Sequence, residues 1–425
     1  MSAPPMRFMR EKVETQYKPV LEMLRADLIP HGRLLAGGLE MAIAHYQETF
    51  RAMDERHKKL GWYSFCLTPE LFLAMDILPF LGESHPVTVT RAAPEVCWEY
   101  VDTAEAAGVP SELCALDKFI YGAMLKNEMP KADFIVSGSA PCDSSRIGYQ
   151  MFEQLADCPV FRLDAPVEDS REAHLYYASE IRKLIGFLEE QTGTRLDPDR
   201  LREVCEESNC ATEAFLELFE LRRARPCPQA GAVTAGAYIA MATELGTPEL
   251  TRYLEFLRDD AARAVAEGRG AVAEERHRVF WYCVPITFDL GLHEWLEENF
   301  SVVVLMDQLG SFCREDPIDT TSLDTMLVDL ARRGLETTMS RLRVTADKMK
   351  AQFLRDYADL RADCVVFPAP AGCKHAWAWL SLLKETCRER EIPICSFDLD
   401  WMDSRVRSVE SIRATIEEFF TTVME

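Results

Sequence analysis

The sequence contains no Cys-x-x-Cys pair, although it holds 14 cysteines. That absence argues against zinc ribbons, thioredoxin-type redox sites and ferredoxin-type cluster runs, which take two thiols from one short turn. The chain is also short of positive charge. Its 47 Lys and Arg face 70 Asp and Glu, a net charge of −23. Such a surface repels phosphate backbones and anionic headgroups, so neither a nucleic-acid nor a membrane-surface role is expected. An anionic ligand must then be met by a local basic pocket. No apolar run approaches membrane-spanning length, and the opening "MSAPPMRFMREKVETQYKPVLEMLRADLIP" has no apolar signal core or cleavage site. A soluble, cytoplasmic protein is the expectation. At 425 residues, two or three domains are expected rather than one core.

What the chain does have is thiols. Disulfides are rare in a reducing compartment, so this many cysteines suggests metal, cluster or thiol chemistry. Cys66, Cys158, Cys283, Cys364 and Cys395 lie on or beside apolar strand-like runs and read as small buried hydrophobes. Metal-binding thiols would have to converge from distant parts of the chain.

Two stretches share a plan. "ADFIVSGSAPC" (132–142) and "ADCVVFPAPAGC" (362–373) each open Ala-Asp, run through an apolar segment, pass small residues and Pro, and reach a Cys. Around each, strands alternate with helices of ten to fifteen residues, the pattern of βαβ units and a mainly parallel sheet. In each half a strand, a Cys-bearing loop, a helix and a second strand lead to an Asp, Asp164 or Asp398. This reads as a diverged internal repeat of two doubly wound α/β domains. The boundaries expected are an N-terminal helical segment (1–60), a first α/β domain (61–169), a charged helical bridge (170–270) and a second α/β domain (271–425). Within the first domain, "GWYSFC" reads as a strand and "TPELFLAMDILPF" as a short helix, with Thr68 as N-cap and Pro69 in its first turn. Residues 321–360 read as helical, as does the chain from Ser408 onward.

In open parallel sheets the functional crevice lies beyond the carboxyl ends of the strands, where Cys142 and Cys373 both fall, each in a loop leading to a helix. A helix N-terminus lowers a thiol's pKa and favours the thiolate. If the halves face one another, their thiolates meet at one site, a geometry that suits a metal cluster between domains. A third ligand is needed. Cys114, in "GVPSELCALDK", is the best candidate; Cys97, inside "APEVCWEYV", is the rival but reads as part of an apolar helix face. Three thiolates on a cubane would leave one iron open for a substrate oxygen or water. A single nucleophilic Cys, or a zinc site using His375, are the weaker readings.

"GVPSELCALDK", "ADFIVSGSAPCDSSR" and "ADCVVFPAPAGCKHAWAWLSLLKETCREREIPICSFDLDWMDSR" resemble, in order and spacing, the three cysteine regions of the 2-hydroxyacyl-CoA dehydratase / benzoyl-CoA reductase family. The resemblance runs from about "GWYSFCLTPELFLAMDILPF" to the C-terminus and is nearest the larger, B-type iron–sulfur subunits. It implies two flavodoxin-like domains and a 4Fe-4S cluster held by Cys114, Cys142 and Cys373. It further implies a homologous second subunit, hetero- or homodimeric, and an ATP-dependent iron–sulfur activator that delivers one low-potential electron. A CoA thioester would be dehydrated through a ketyl radical, or its aromatic ring reduced.

Some positions depart from the family pattern. Ala115 follows the first cysteine, with Lys118 later; Gly372 and Lys374 flank the third; and "MDQLGSFCRED" lacks a Cys-Thr-Gly type of segment. The resemblance offers Glu70, in "TPEL", as proton-transfer base, though a first-turn Glu exposed at the helix dipole reads equally well. Ser137, Ser139 and His375 are candidates for hydrogen-bonding the thioester, and Lys118 and Lys374 for CoA phosphates. A double-cubane reductase of small molecules without a CoA site, and a non-catalytic paralogous subunit, are the competing readings.

Overall fold

The computed structural model describes residues 4–140, 142–289, 291–307, 316–336 and 343–425. The family-pattern segment "MDQLGSFCRED" lies almost wholly outside them.

The chain opens with α1 (Arg7–Lys12), a π-helical stretch (Val13–Tyr17), α2 (Lys18–Arg25) and α3 (Gly32–Glu55). The first α/β half follows: β1 (Lys59–Tyr63), α4 (Glu70–Ala74), β2 (Ile77–Leu81), α5 (Ser84–Ala92), α6 (Pro94–Ala106), α7 (Ala115–Leu125), β3 (Phe134–Gly138), α8 (Asp143–Leu155) and β4 (Val160–Leu163). Four long helices come next: α9 (Arg171–Thr192), α10 (Pro198–Leu221), α11 (Gly231–Glu244) and α12 (Pro248–Glu267). The second half has β5 (His277–Trp281), α13 (Leu292–Phe300), β6 (Val302–Asp307), α14 (Leu323–Glu336), α15 (Ala346–Leu360), β7 (Cys364–Pro370), α16 (Lys374–Glu389), β8 (Ile394–Leu399) and α17 (Val409–Thr422).

The two sheets are built alike. Both are parallel throughout, with orders β2-β1-β3-β4 and β6-β5-β7-β8. This is the arrangement of two flavodoxin-like domains. In each sheet the chain runs outward from the first strand, then crosses back to its other side. The loops after β1 and β3, and after β5 and β7, therefore diverge and leave a crevice at the strands' carboxyl ends. The central strands β3 and β7 are buried along their whole length, which is why they read as unbroken apolar runs.

Helix ends follow local chemistry. Asp197 and Thr247 cap α10 and α12, each just before a Pro at the first helical position, and Gly268 closes α12 at φ +66°. The stretch read as one helix after Thr68 departs from expectation. Pro69 takes the cap position, the Thr68 hydroxyl is buried without a hydrogen bond, and the helix stops at Ala74. Asp76 turns the backbone left-handed at φ +56°, and "ILPFL" becomes β2. A five-residue apolar run does not distinguish strand from helix by periodicity, and Pro79 is tolerated because β2 is an edge strand. The described residues of the stretch 321–360 are helical in α14 and α15.

Packing ties the parts together. The first sheet has α1, α3, α7 and α8 side chains on one face, including Met9, Tyr46, Phe119 and Phe152. Its other face carries α9 and α14, through Tyr177, Ile181, Leu327 and Leu330. Thus α14, which follows β6 in the chain, covers the first sheet. The helices α10, α11 and α12 share a core around Phe215, Tyr238 and Leu254.

Candidate functional site

Cys114, Cys142 and Cys373 each occupy the position just before a helix: α7, α8 and α16 respectively. The Cys142 Sγ accepts the Ser145 amide at 3.5 Å, and the Cys373 Sγ accepts the Ala376 amide at 3.5 Å. The two repeat-related cysteines therefore cap their helices in the same manner. Cys114 joins them by another route: its amide donates to the Ser144 Oγ at 3.2 Å, and that hydroxyl in turn donates to the Asp117 carboxylate.

The loop before Cys373 comes down onto Cys114. A Cβ on Gly372 would lie 2.8 Å from the Cys114 Cα and 2.9 Å from the Leu113 carbonyl oxygen. Only a glycine allows this approach, which accounts for one departure from the family pattern.

All three thiols are half-buried and line one cavity of about 390 Å³ between the two α/β halves. Its walls are mainly apolar, with Phe65, Met349, Phe367, Trp379 and Trp401 among them. Lys374 and His375 also line it. So does Cys283, which reads from sequence as a structural thiol.

Burial pushes the Cys142 thiol up to about 12, with the Asp117 carboxylate adding to the effect and the Ser145 and Ser144 amides opposing it. Burial likewise raises Cys114 and Cys373, the latter again opposed by its helix amides. The helix termini act in the expected direction, but desolvation outweighs them. A protein-bound cation would have to displace those protons.

The remaining candidates divide. Glu70 is fully buried, not exposed, and lies off the cavity, accepting from Ser208 Oγ at 2.7 Å and Arg333 Nη1 at 3.0 Å. Ser137 is buried within β3 and does not line the cavity. Ser139 donates to Asp164 and accepts the Ala165 amide, closing a loop. Lys118 is buried against Glu105 at 2.8 Å rather than in solvent. Cys97 sits in the core of the first half. Asp398 is exposed and meets Arg407.

Sequence reasoning missed two carboxyls on the cavity, Asp117 and Glu83. Burial raises them, to about 6 and about 8. Asp117 had a signal, standing three residues after Cys114. Glu83 had none once β2 was read as helix, because it follows that strand's carboxyl end. A separate group, Asp169, His174 and Glu336, brings its ligand atoms within 4.8 Å, but the Lys348 ammonium already sits 3.0 Å from Asp169.

The residues fit an iron–sulfur cluster. The donor set is all sulfur, the ligand type that such clusters take, and is one thiolate short of the usual four. Three helix N-termini converge on them, favouring net negative charge. The Ser145 hydroxyl, buried without a hydrogen bond, lines the same space.

Similarity to known proteins covers this part of the chain. The family model described as 2-hydroxyglutaryl-CoA dehydratase, D-component, matches residues 66–423. The chain is 21% identical over 419 residues to a benzoyl-CoA reductase subunit of Thauera aromatica, covering 90% of this chain and 93% of that one. It is 23% identical over 237 residues to the (R)-phenyllactyl-CoA dehydratase alpha subunit of Clostridium sporogenes, covering 53% of this chain and 58% of the relative. With the alpha subunit of (R)-2-hydroxyglutaryl-CoA dehydratase from Acidaminococcus fermentans it shares 25% over 162 residues, 37% of this chain and 34% of the relative. Among the described residues no helix is long and apolar enough to cross a membrane. The matched span takes in the whole second sheet, the first sheet except β1, and all three cavity cysteines: this chain belongs to the 2-hydroxyglutaryl-CoA dehydratase D-component family.

Proposed function

We propose that the chain is the cluster-bearing subunit of an enzyme acting on a CoA thioester, either a 2-hydroxyacyl-CoA dehydratase or an aryl-CoA reductase. One observation carries the reading: cysteines from both halves meet at a single apolar cavity. Cys114, Cys142 and Cys373 would hold a 4Fe-4S cluster there, which when bound supplies single low-potential electrons and a Lewis-acidic iron.

The chain's own residues do the rest. Phe65, Trp379 and Trp401 exclude water, which would otherwise quench a strongly reduced thioester. The same walls favour an apolar acyl group. Lys374 and His375, beside Cys373 on the cavity wall, would meet polar parts of the thioester. Glu70 has no substrate role in this reading, since it lies off the cavity with Ser208 and Arg333 bonded to its Oε1.

A homologous second subunit and an ATP-dependent iron–sulfur activator complete the system. Ile147 and Trp377, each 43% exposed, stand one turn beyond Cys142 and Cys373 and offer apolar contact for one of them. A larger double-cubane cluster is the second reading, favoured by Cys283 on the same cavity.

Iron analysis of anaerobically purified protein distinguishes them, about four atoms per chain against about eight. Turnover of a panel of CoA thioesters with activator and ATP tests the activity. Iron-free protein from a strictly anaerobic preparation would refute both.

A further inference from the structure

We propose that Glu83 is the substrate-contacting acid of the cavity, a neutral carboxyl that donates its hydrogen bond to the oxygen of a bound acyl thioester. The assignment rests on reading the cavity as a thioester site.

Four observations place it there. Glu83 follows β2 at the carboxyl edge of the first sheet and stands at the start of α5. It is 3% exposed and lines the same cavity as the three cysteines. Neither carboxylate oxygen makes a hydrogen bond of normal geometry with the protein. The charge of another acid, Asp117, acts on it and opposes its ionisation.

The groups around it come from each packed element. After burial itself, the Glu83 amide acts most and favours ionisation, Asp117 of α7 opposes it, and the Tyr149 hydroxyl of α8 and the Phe65 amide favour it. Tyr63 of β1 and Cys66 beyond it feel the Glu83 charge in return. Arg91 of α5 lines the same cavity. Burial dominates and holds the carboxyl protonated up to about pH 8.

A buried acid whose oxygens make no hydrogen bond of normal geometry is costly unless something completes it. A protonated carboxyl has one O–H to give, and a thioester offers one carbonyl oxygen to take it. Glu83 is on the opposite half from Cys373, Lys374 and His375, so a thioester between them would be held from both sides.

The test uses two CoA compounds: benzoyl-CoA, and S-benzyl-CoA, which has the same ring but no acyl oxygen. Binding is measured on anaerobically purified, cluster-loaded protein without activator, for the native chain, Glu83→Gln and Glu83→Ala. Melting curves confirm folding.

The native chain and Glu83→Gln should bind benzoyl-CoA about tenfold more tightly than S-benzyl-CoA, and Glu83→Ala should lose that preference. Native affinity for benzoyl-CoA should fall as the pH rises past about 8, with Glu83→Gln flat across the same range. An alanine variant that keeps the full preference overturns the role of Glu83 and leaves the thioester site standing. Should the alanine variant not fold, a native pH profile as flat as that of Glu83→Gln overturns it equally. If neither compound binds the native chain, the thioester reading falls and Glu83 with it.

Discussion

Arg333 reaches Glu70 at 3.0 Å across 263 residues of sequence, and both side chains are fully buried. The pair joins α4 of the first half to α14, while Ser208 of α10 bonds both partners, donating to Glu70 at 2.7 Å and accepting from Arg333 at 2.6 Å. Three segments distant in the chain are locked by one charged contact.

Removing one partner should therefore unfold rather than inactivate. Glu70→Gln leaves a buried guanidinium uncompensated, and a loss of about 3–5 kcal/mol is expected by denaturant titration. Iron bound per folded molecule should not change. If Glu70→Gln is as stable as the native chain but inactive, Glu70 is a proton-transfer base after all.

Gly372→Ala tests the contact between the two halves. The new Cβ meets backbone atoms of Leu113 and Cys114, which have no rotamer to yield. The loop must shift, at about 1–3 kcal/mol, and iron content should drop. Gly186→Ala in α9 is the control: a Cβ there meets nothing within 4 Å, and the change should stabilise by about 0.5–1 kcal/mol.

Cys114→Ser, Cys142→Ser and Cys373→Ser should each cost the protein its visible iron–sulfur absorption. Cys97→Ser, in the first-half core away from the cavity, should keep it. A Cys97 variant that loses the chromophore while a Cys114 variant retains it would reassign the third ligand.

Glu83 predicts a pH dependence of stability. Its folded value is raised from 4.5 to about 8 by burial, so the unfolded chain releases this proton at lower pH than the folded one. The stability attached to the neutral group is complete below about pH 4.5 and declines as the pH climbs toward 8, by about 1.4 kcal/mol per unit. Glu83→Gln removes this slope. Melting temperatures of native and variant protein should diverge between pH 5 and 8, the variant gaining; parallel curves would mean that Glu83 is ionised in the fold.

Much of the architecture was legible because parallel strands advertise themselves. "FIVSG" is β3 to the residue, since a strand buried on both faces admits no polar alternation. The matched Cys142 and Cys373 loops were legible from the repeat, and the structure gives them the same helix-capping geometry. β2 was not legible. "ILPFL" has strand composition, but it follows a short helix without a break, and only the positive φ of Asp76 separates the two. Losing that strand hid Glu83. Glu70 was misplaced for a related reason: sequence shows a first-turn Glu, and nothing local announces an Arg from position 333.

The sequence by itself determined the alternation of strand and helix and the absence of a local thiol pair, so that any site with several thiols must draw them from distant positions. These are properties of neighbouring residues, set by sterics, periodicity and capping. Only the tertiary structure decided which acids face the cavity and which are consumed in ion pairs. Desolvation depends on what the whole fold places around a group, and it is desolvation that keeps Glu83 neutral and holds the three thiols protonated against the pull of their helices.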